Sequence, residues 1–398
     1  MASHGVPRVS GVSKSEQTQQ KELRQIEQYQ ELVDLVNTKI TERQYTVEVL
    51  ALTSKLLNRN PEYYTIWNHR RRVLQHLLSQ RSETSSSPPG PVSSSFTPRT
   101  THDLITDDLR FLIPLLRLYP KCYWIWNHRL WLLQQSTDLL PRSAARRLWQ
   151  EELGLVGKML TLDSRNFHGW GYRRVVVSAL ESQTVASTLQ SDSTPQHEEE
   201  ATAQGEQEAG AMSMVEREFA YTTRMISTNL SNFSAWHNRS KLIPRLLYER
   251  SASSIMRRQL LDDEFGLVRR GLWTDPYDQS LWFYHDYLMS IISSSVPAEA
   301  AIVLDLTDED RRERLRGERD SIEEMLEGAE DCKWIYQALL QCTAQYLDLA
   351  VKAKNGDPKH SVPDPEVKNN MRVWLEQLKT LDPLRMGRWD DLHNALQL

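Results

Sequence analysis

Cysteine is scarce in this chain of 398 residues. Cys122, Cys332 and Cys342 are too few and too scattered for a disulfide framework, and they include no CxxC pair. All three are expected to be reduced thiols, used as small apolar fillers. Long hydrophobic runs are missing as well: no stretch of about 18 apolar residues is available to cross a bilayer. The opening MASHGVPRVSG has no apolar segment of the secretory kind, and the closing Asn394-Ala395-Leu396-Gln397-Leu398 has no lipidation box. A cytoplasmic protein without a membrane span is expected.

Charge of one sign is also absent, with 48 Lys and Arg against 53 Asp and Glu. That balance argues against a life on nucleic acid or anionic membrane. The familiar catalytic boxes, GxGxxG, Walker A, HExxH and GxSxG, do not occur. The paired acids Asp107-Asp108, Asp262-Asp263 and Asp390-Asp391 are expected as helix-end or exposed carboxylates rather than a general acid and base. Such a chain reads as one part of a larger assembly.

What the sequence does have is tryptophan in a pattern. Trp67-Asn68-His69-Arg70, Trp126-Asn127-His128-Arg129, Trp170-Gly171-Tyr172-Arg173 and Trp236-His237-Asn238-Arg239 share Trp-x-x-Arg, and Trp282-Phe283-Tyr284-His285 keeps the Trp but replaces the Arg. A turn signal stands six residues ahead of most of them: Pro61, Pro120, Ser164 and Pro276. Proline cannot continue a helix and turns the residue before it away from helical geometry. Each turn follows an apolar stretch at helical spacing, such as Val49, Leu52, Leu56, or Leu109, Leu112, Leu116, or Leu153, Val156, Leu160. After the turn, Trp67, Arg70, Leu74 and Leu77 share one face, as do Trp126, Arg129, Leu133 and Trp170, Arg173, Val177.

Each copy is therefore a hairpin of helix A and helix B. Neither stripe can be buried by one hairpin alone, so consecutive hairpins must stack into a curved, two-layer, all-α solenoid. The period is roughly 45 residues once two inserts are set aside. Those inserts, 81–101 and 182–212, are rich in Ser and Pro or in polar residues and are expected to be disordered. The rest reads as a single helical-repeat domain, 1–398, with a tail over 1–27. Over 320–398 the repeats are degenerate, where Lys333-Trp334 and Asp382-Pro383 with Trp389 mark further copies. The alternating charges of 305–319 are expected to form an exposed helix with i, i+4 pairs.

The repeated Trp and Arg read mainly as scaffold, the Trp filling the layer between hairpins and the Arg satisfying carbonyls or a neighbouring carboxylate. Two turns carry a different signal. Lys121 and Tyr123 lie just ahead of the second helix B, and Asn166 and His168 lie at the same place in the third copy. Turns of consecutive repeats run along one rim, so Lys121, Tyr123 and His168 form a candidate anion pocket. Plain exposed turn residues remain the other reading.

These hairpins, with a turn signal, five residues and then Trp-x-x-Arg, closely resemble the α subunits of protein prenyltransferases over about 28–398. Within that family, His4-Gly5-Val6-Pro7-Arg8, Asn166-Phe167-His168-x-Trp170 and Asp275-Pro276-x-Asp278-Gln279-Ser280-x-Trp282 are similar to the Rab geranylgeranyltransferase (type II) α subunits, in their short, fungal-like form. Phe167, where the farnesyl and type I subunits usually have Tyr, points the same way.

The resemblance implies a crescent of hairpins wrapped around a β subunit in an obligate heterodimer. Zinc is expected in that β subunit and no cofactor in this chain. Further implied partners are geranylgeranyl diphosphate, Rab GTPases and a Rab escort protein. Lys121 and Tyr123 match the family's Lys-x-Tyr that reaches the isoprenoid diphosphate, His168 matches a neighbouring rim histidine, Asn166 is implied to bind substrate, and His4 is implied to be regulatory. A shared farnesyl and type I α subunit is the near alternative, and a non-catalytic helical-repeat adaptor the distant one.

Overall fold

The structure, a computed structural model, describes residues 16–84, 100–191, 212–353 and 365–398. Fifteen α-helices and no strand occur among the described residues. The chain divides into two compact units, Met1–Glu198 and Glu199–Leu398. In the first, α1 (Glu16–Thr41) packs on α2 (Val47–Arg59), and hairpins form from α2 with α3 (Tyr64–Thr84), α4 (Thr101–Leu118) with α5 (Tyr123–Leu139) and α6 (Arg142–Leu162) with α7 (Phe167–Ser191). In the second they form from α8 (Met214–Thr228) with α9 (Phe233–Glu249), α10 (Ser254–Thr274) with α11 (Gln279–Ile291) and α12 (Asp308–Glu324) with α13 (Lys333–Ala353). Then α14 (Pro365–Leu381) packs on α13 and on the closing α15 (Met386–Leu396). Within each unit the B helices lie side by side, α3 on α5 on α7, and α9 on α11 on α13.

The turn between helix A and helix B is the same device each time. Cys122, Asn166, Asn232 and Asp278 each return an amide to the carbonyl three residues back, at 3.0 to 3.3 Å. Proline at the second position of such a turn, as in Pro120 and Pro276, is preset for its φ. Each turn begins where a helix-A amide makes its last bond four residues back: Tyr119 N to Leu115 O, Asp163 N to Met159 O and Asp275 N to Gly271 O.

The B-helix stripes are buried as their spacing predicts: Trp67, Arg70, Leu74 and Leu77, then Trp126, Arg129 and Leu133, then Trp170, Arg173 and Val177. The A-helix stripes differ in one respect. Leu52 and Leu153 are only half-buried, while Thr53 and Glu152 beside them are buried. Periodicity alone could not single out a buried Glu, because only its partners make burial tolerable.

Other boundaries shift. The helix α1 begins at Glu16, inside the stretch expected as a tail. Helix α3 runs to Thr84 and α7 to Ser191, so both extend into the stretches expected as inserts; most of each lies outside the described residues. The charged stretch forms α12, but its local pairs are Arg311–Asp308 and Arg312–Glu309 at i, i+3. Asp310 and Arg314 reach α10 instead, through Arg258–Asp310 and Arg314–Asp262, and Glu318 is buried against α10 and α11.

Candidate functional site

The Trp-x-x-Arg repeat resolves into two sets of contacts. The indole Nε1 donates to the carbonyl six residues back in five copies: Trp67 to Pro61, Trp126 to Pro120, Trp170 to Ser164, Trp236 to Leu230 and Trp282 to Pro276, all at 2.6 to 2.9 Å. This bond is why the spacing from turn to Trp is constant. A buried indole needs a partner for its N–H, and a turn carbonyl at the start of the helix is the one within reach.

In the next copy the slot belongs to Tyr336, whose hydroxyl donates to Glu330 O at 2.8 Å. Trp334, the residue expected there, is half-buried and sits edge-on to Phe283, its ring centroid 5.9 Å away. In the last copy Trp389 reaches Asp382 O at 3.3 Å, one residue out of step.

The Arg answers an acid on helix A of the following hairpin. Arg70 pairs with Asp108 and Arg239 with Glu264, while Arg129 makes a two-point pair with Glu152 at 2.7 and 2.5 Å. The residue two after the Trp of that following hairpin binds the same acid: His128 with Asp108, Tyr172 with Glu152 and Tyr284 with Glu264. Each acid thereby ties one B helix to the next. In the fifth copy His285 stands in the Arg place and still meets an acid, Glu318, at 3.4 Å, which Arg269 also holds.

Asp108 corrects the expectation of an exposed carboxylate: it is 3% exposed. Burial pushes its pKa up, but the Arg70 charge and the bonds from His128 and Arg70 outweigh that and hold it at about 2. Asp262 and Asp390 do stand at the surface, paired with Arg314 and Lys379.

The turns themselves are stitched together along the rim. Pro61 O accepts from Trp67 and from Cys122 Sγ of the next turn at 3.4 Å. Pro120 O accepts from Trp126 and from Asn166 Nδ2 at 2.9 Å. Pro276 O accepts from Trp282 and from Cys332 Sγ at 3.1 Å. All three cysteines are free and buried, and burial raises the Cys122 thiol to about 11. That is a packing role, as expected.

On this rim Lys121 is exposed, with no carboxylate within ion-pair distance among the described residues. Tyr123 opens α5 and is 53% exposed. Its ring lies 6.3 Å from that of the half-buried His168, at 50°. Burial lowers the pKa of His168, and the nearby Glu62 carboxylate partly opposes this, so the imidazole is a neutral hydrogen-bonding group at pH 7.

Asn166, expected to touch substrate, is turned inward. Its Nδ2 holds Pro120, the residue before Lys121, while its Oδ1 accepts from the amides of His168 and Gly169 at 3.0 and 3.2 Å. It pins the Lys121 turn to the turn of His168 and caps α7. The structure thus brings Tyr123 and His168 together through a scaffold asparagine. His4 lies outside the described residues.

Three further neighbours had no sequence signal. Tyr64 stacks on Trp124 with centroids 5.6 Å apart, and Trp124 meets Tyr123 edge-on at 5.4 Å. Arg71 reaches α5 from α3, donating from Nη2 to Asn127 O at 2.9 Å. Among the described residues no group of three or more His, Cys, Asp or Glu is arranged to hold a metal ion.

Stacked hairpins, five of them closed by a turn-bound indole and three joined to the next by a buried Arg–acid pair, define an all-α helical-hairpin repeat protein. Four hairpins, residues 47–77, 105–136, 149–180 and 215–246, match the protein prenyltransferase alpha subunit repeat. The chain belongs to the protein prenyltransferase α-subunit family.

Among its relatives is the geranylgeranyl transferase type-2 subunit alpha of Saccharomyces cerevisiae, 35% identical over 243 residues. That alignment takes in 61% of this chain and 58% of the relative. The Candida albicans protein of the same name is 28% identical over 90% of this chain and 89% of its own length. The Rattus norvegicus one is 35% identical over 61% of this chain and 33% of its own. The chain thus spans little more than half of the first relative's length and a third of the last. The solved Candida albicans protein geranylgeranyltransferase-I complexed with GGPP shares the fold, with a TM-score of 0.54 at 17% identity, over 99% of this chain and 95% of that one.

Proposed function

We propose that this chain is the α subunit of a type II protein geranylgeranyltransferase, active as a heterodimer with a β subunit. The pair transfers geranylgeranyl from its diphosphate to C-terminal cysteines of Rab GTPases presented by an escort protein. The observation that carries the reading is the rim of Lys121, Tyr123 and His168, a cation with no carboxylate within ion-pair distance among the described residues and two hydrogen-bonding side chains on the same turns, in a chain whose relatives bear the type-2 alpha name.

The chemistry asks for such a rim. As the bond from C1 to the diphosphate oxygen breaks, negative charge gathers on the leaving group. Lys121 supplies a point charge there, and Tyr123 and His168 donate hydrogen bonds that strengthen as the charge grows. Asn166 positions them by holding the two turns at fixed distance. The nucleophile is the sulfur of the Rab cysteine, and a zinc ion in the β subunit would favour its thiolate form. This chain's own residues bind and orient the leaving group.

The experiment is to coexpress the chain with its cognate β subunit and measure transfer to an escort-bound Rab. Lys121→Ala is expected to lower turnover by about 10²-fold with heterodimer yield unchanged. Unchanged turnover would overturn the diphosphate-facing role, and efficient farnesylation of a lone CaaX peptide would replace type II with the shared farnesyl and type I subunit.

A further inference from the structure

Arg71 stands on α3, one helical turn after Trp67, and among the described residues no carboxylate lies within ion-pair distance of it. Its Nη2 donates to Asn127 O at 2.9 Å, its Nε approaches His128 Nδ1 at 3.4 Å, and its guanidinium carbon lies 5.6 Å from the centre of the Trp131 ring. His128 uses its other nitrogen on Asp108 at 2.8 Å. The proton therefore sits on Nε2, and Nδ1 offers a lone pair to Arg71. Burial holds His128 neutral despite the pull of Asp108, so it lends Arg71 no charge. Asp108 in turn is already answered by Arg70.

Arg71 thus keeps a full, uncompensated positive charge in a half-buried position. Desolvation lowers its pKa, and attraction to the Tyr123 oxygen offsets only part of that. A guanidinium removed from water without a counter-ion is unfavourable on its own account, which calls for a reason outside the scaffold. The repeat does not demand an Arg at this place: four residues after the Trp stand Leu130, Arg174, Ser240 and Asp286 in the second to fifth copies, so only the third repeats it.

The geometry points to that reason. Tyr123, Asn127 and Trp131 recur at i, i+4 and i+8 on one face of α5, and Arg71 is docked on the middle of this stripe, one turn below Tyr123. We propose that Arg71 is a positioning residue and the second fixed cation of the diphosphate face: it braces α5 one turn after Tyr123 and, acting through Tyr123, stabilises negative charge that gathers at Tyr123 and Lys121. The inference rests on the diphosphate-facing reading of Lys121. Its charge is in place before the leaving group develops its own, so it favours the transition state over the bound ground state.

The test uses the heterodimer with geranylgeranyl diphosphate and an escort-bound acceptor. Arg71→Gln is expected to lower kcat about tenfold while KM for the diphosphate moves less than about threefold, as for a contact felt mainly in the transition state. Arg71→Lys, which keeps the charge, is expected to recover at least half of the loss. In a Tyr123→Phe background the same Arg71→Gln change is expected to reduce kcat less than about twofold, because coupled residues are not additive. An equal loss in both backgrounds, or Arg71→Lys as impaired as Arg71→Gln, would overturn the electrostatic role. Lys121→Ala separates the two ideas: if it leaves kcat unchanged, the diphosphate-facing reading fails and this inference with it. If Lys121→Ala is impaired and Arg71→Gln is not, only the inference about Arg71 fails.

Discussion

At the scale of single residues, the repeated Trp and Arg do different work. The Trp orients a turn through one hydrogen bond, whereas the Arg neutralises an acid that would otherwise be buried alone. Trp126→Phe is expected to cost about 1 to 2 kcal/mol, read as a lowered unfolding midpoint, because Pro120 O keeps the Asn166 amide as a second donor. Arg129→Ala is expected to cost about 3 to 5 kcal/mol, since Glu152 would remain buried with only Tyr172 to bind it; a loss below 1 kcal/mol would contradict this.

The pH dependence follows from Asp108 and His128. Asp108 is depressed to about 2 in the folded chain, so it contributes about 2 kcal/mol at neutral pH, fully present above pH ~4 and lost as the pH falls through about 2. His128 is held neutral when folded, so the unfolded chain takes up its proton first, and stability declines as the pH drops below ~6.5. Denaturant midpoints measured from pH 7 to pH ~2 are expected to fall in these two stages.

At the scale of elements, helix A and helix B of the fifth hairpin come close beside their turn. A Cβ on Gly271 of α10 would meet Leu281 Cδ2 of α11 at 2.9 Å, and Leu281 is fully buried. Gly271→Ala is therefore expected to destabilise by about 1 to 3 kcal/mol despite its better helix propensity. A stabilised variant by calorimetry would show that the hairpin can part at no cost. Gly154, equally helical, has open space around it and is expected to tolerate Ala.

The same scale shows what was legible beforehand. The turns, the B-helix stripes and the copies through Trp282 could be located from Pro, Trp and apolar spacing. The acid of each helix A could not, because Glu152 and Asp108 look like surface residues until the preceding hairpin brings an Arg to them. The Trp334 slot misled for a related reason: Tyr336 also has a polar tip on an apolar ring and makes the same bond to a turn carbonyl.

At the scale of the whole molecule, aromatic surface is left uncovered along the starts of the B helices. Tyr64, Tyr123 and Phe167 are exposed in the first unit, and Phe233 and Phe283 in the second. Rows of this kind mark a surface that a partner covers, which agrees with a chain proposed to act only beside a β subunit. Phe167→Asp is expected to reduce the β subunit recovered by pull-down at least tenfold while leaving the helical circular dichroism unchanged. Equal recovery would show that this row is not part of the interface. Hydrogen exchange of α5 and α7 should slow on assembly, most at their first turns.

The sequence by itself determined the repeat, the all-α class and the turns that carry Lys121, Tyr123 and His168, because these depend on local spacing and on what proline and tryptophan can and cannot do. Only the tertiary structure decided which charges are buried, that Asn166 joins two turns, and that Arg71 reaches α5 one turn after Tyr123. Those facts rest on contacts between hairpins tens of residues apart, and a side chain's charge state and direction are set by the neighbours that the fold supplies.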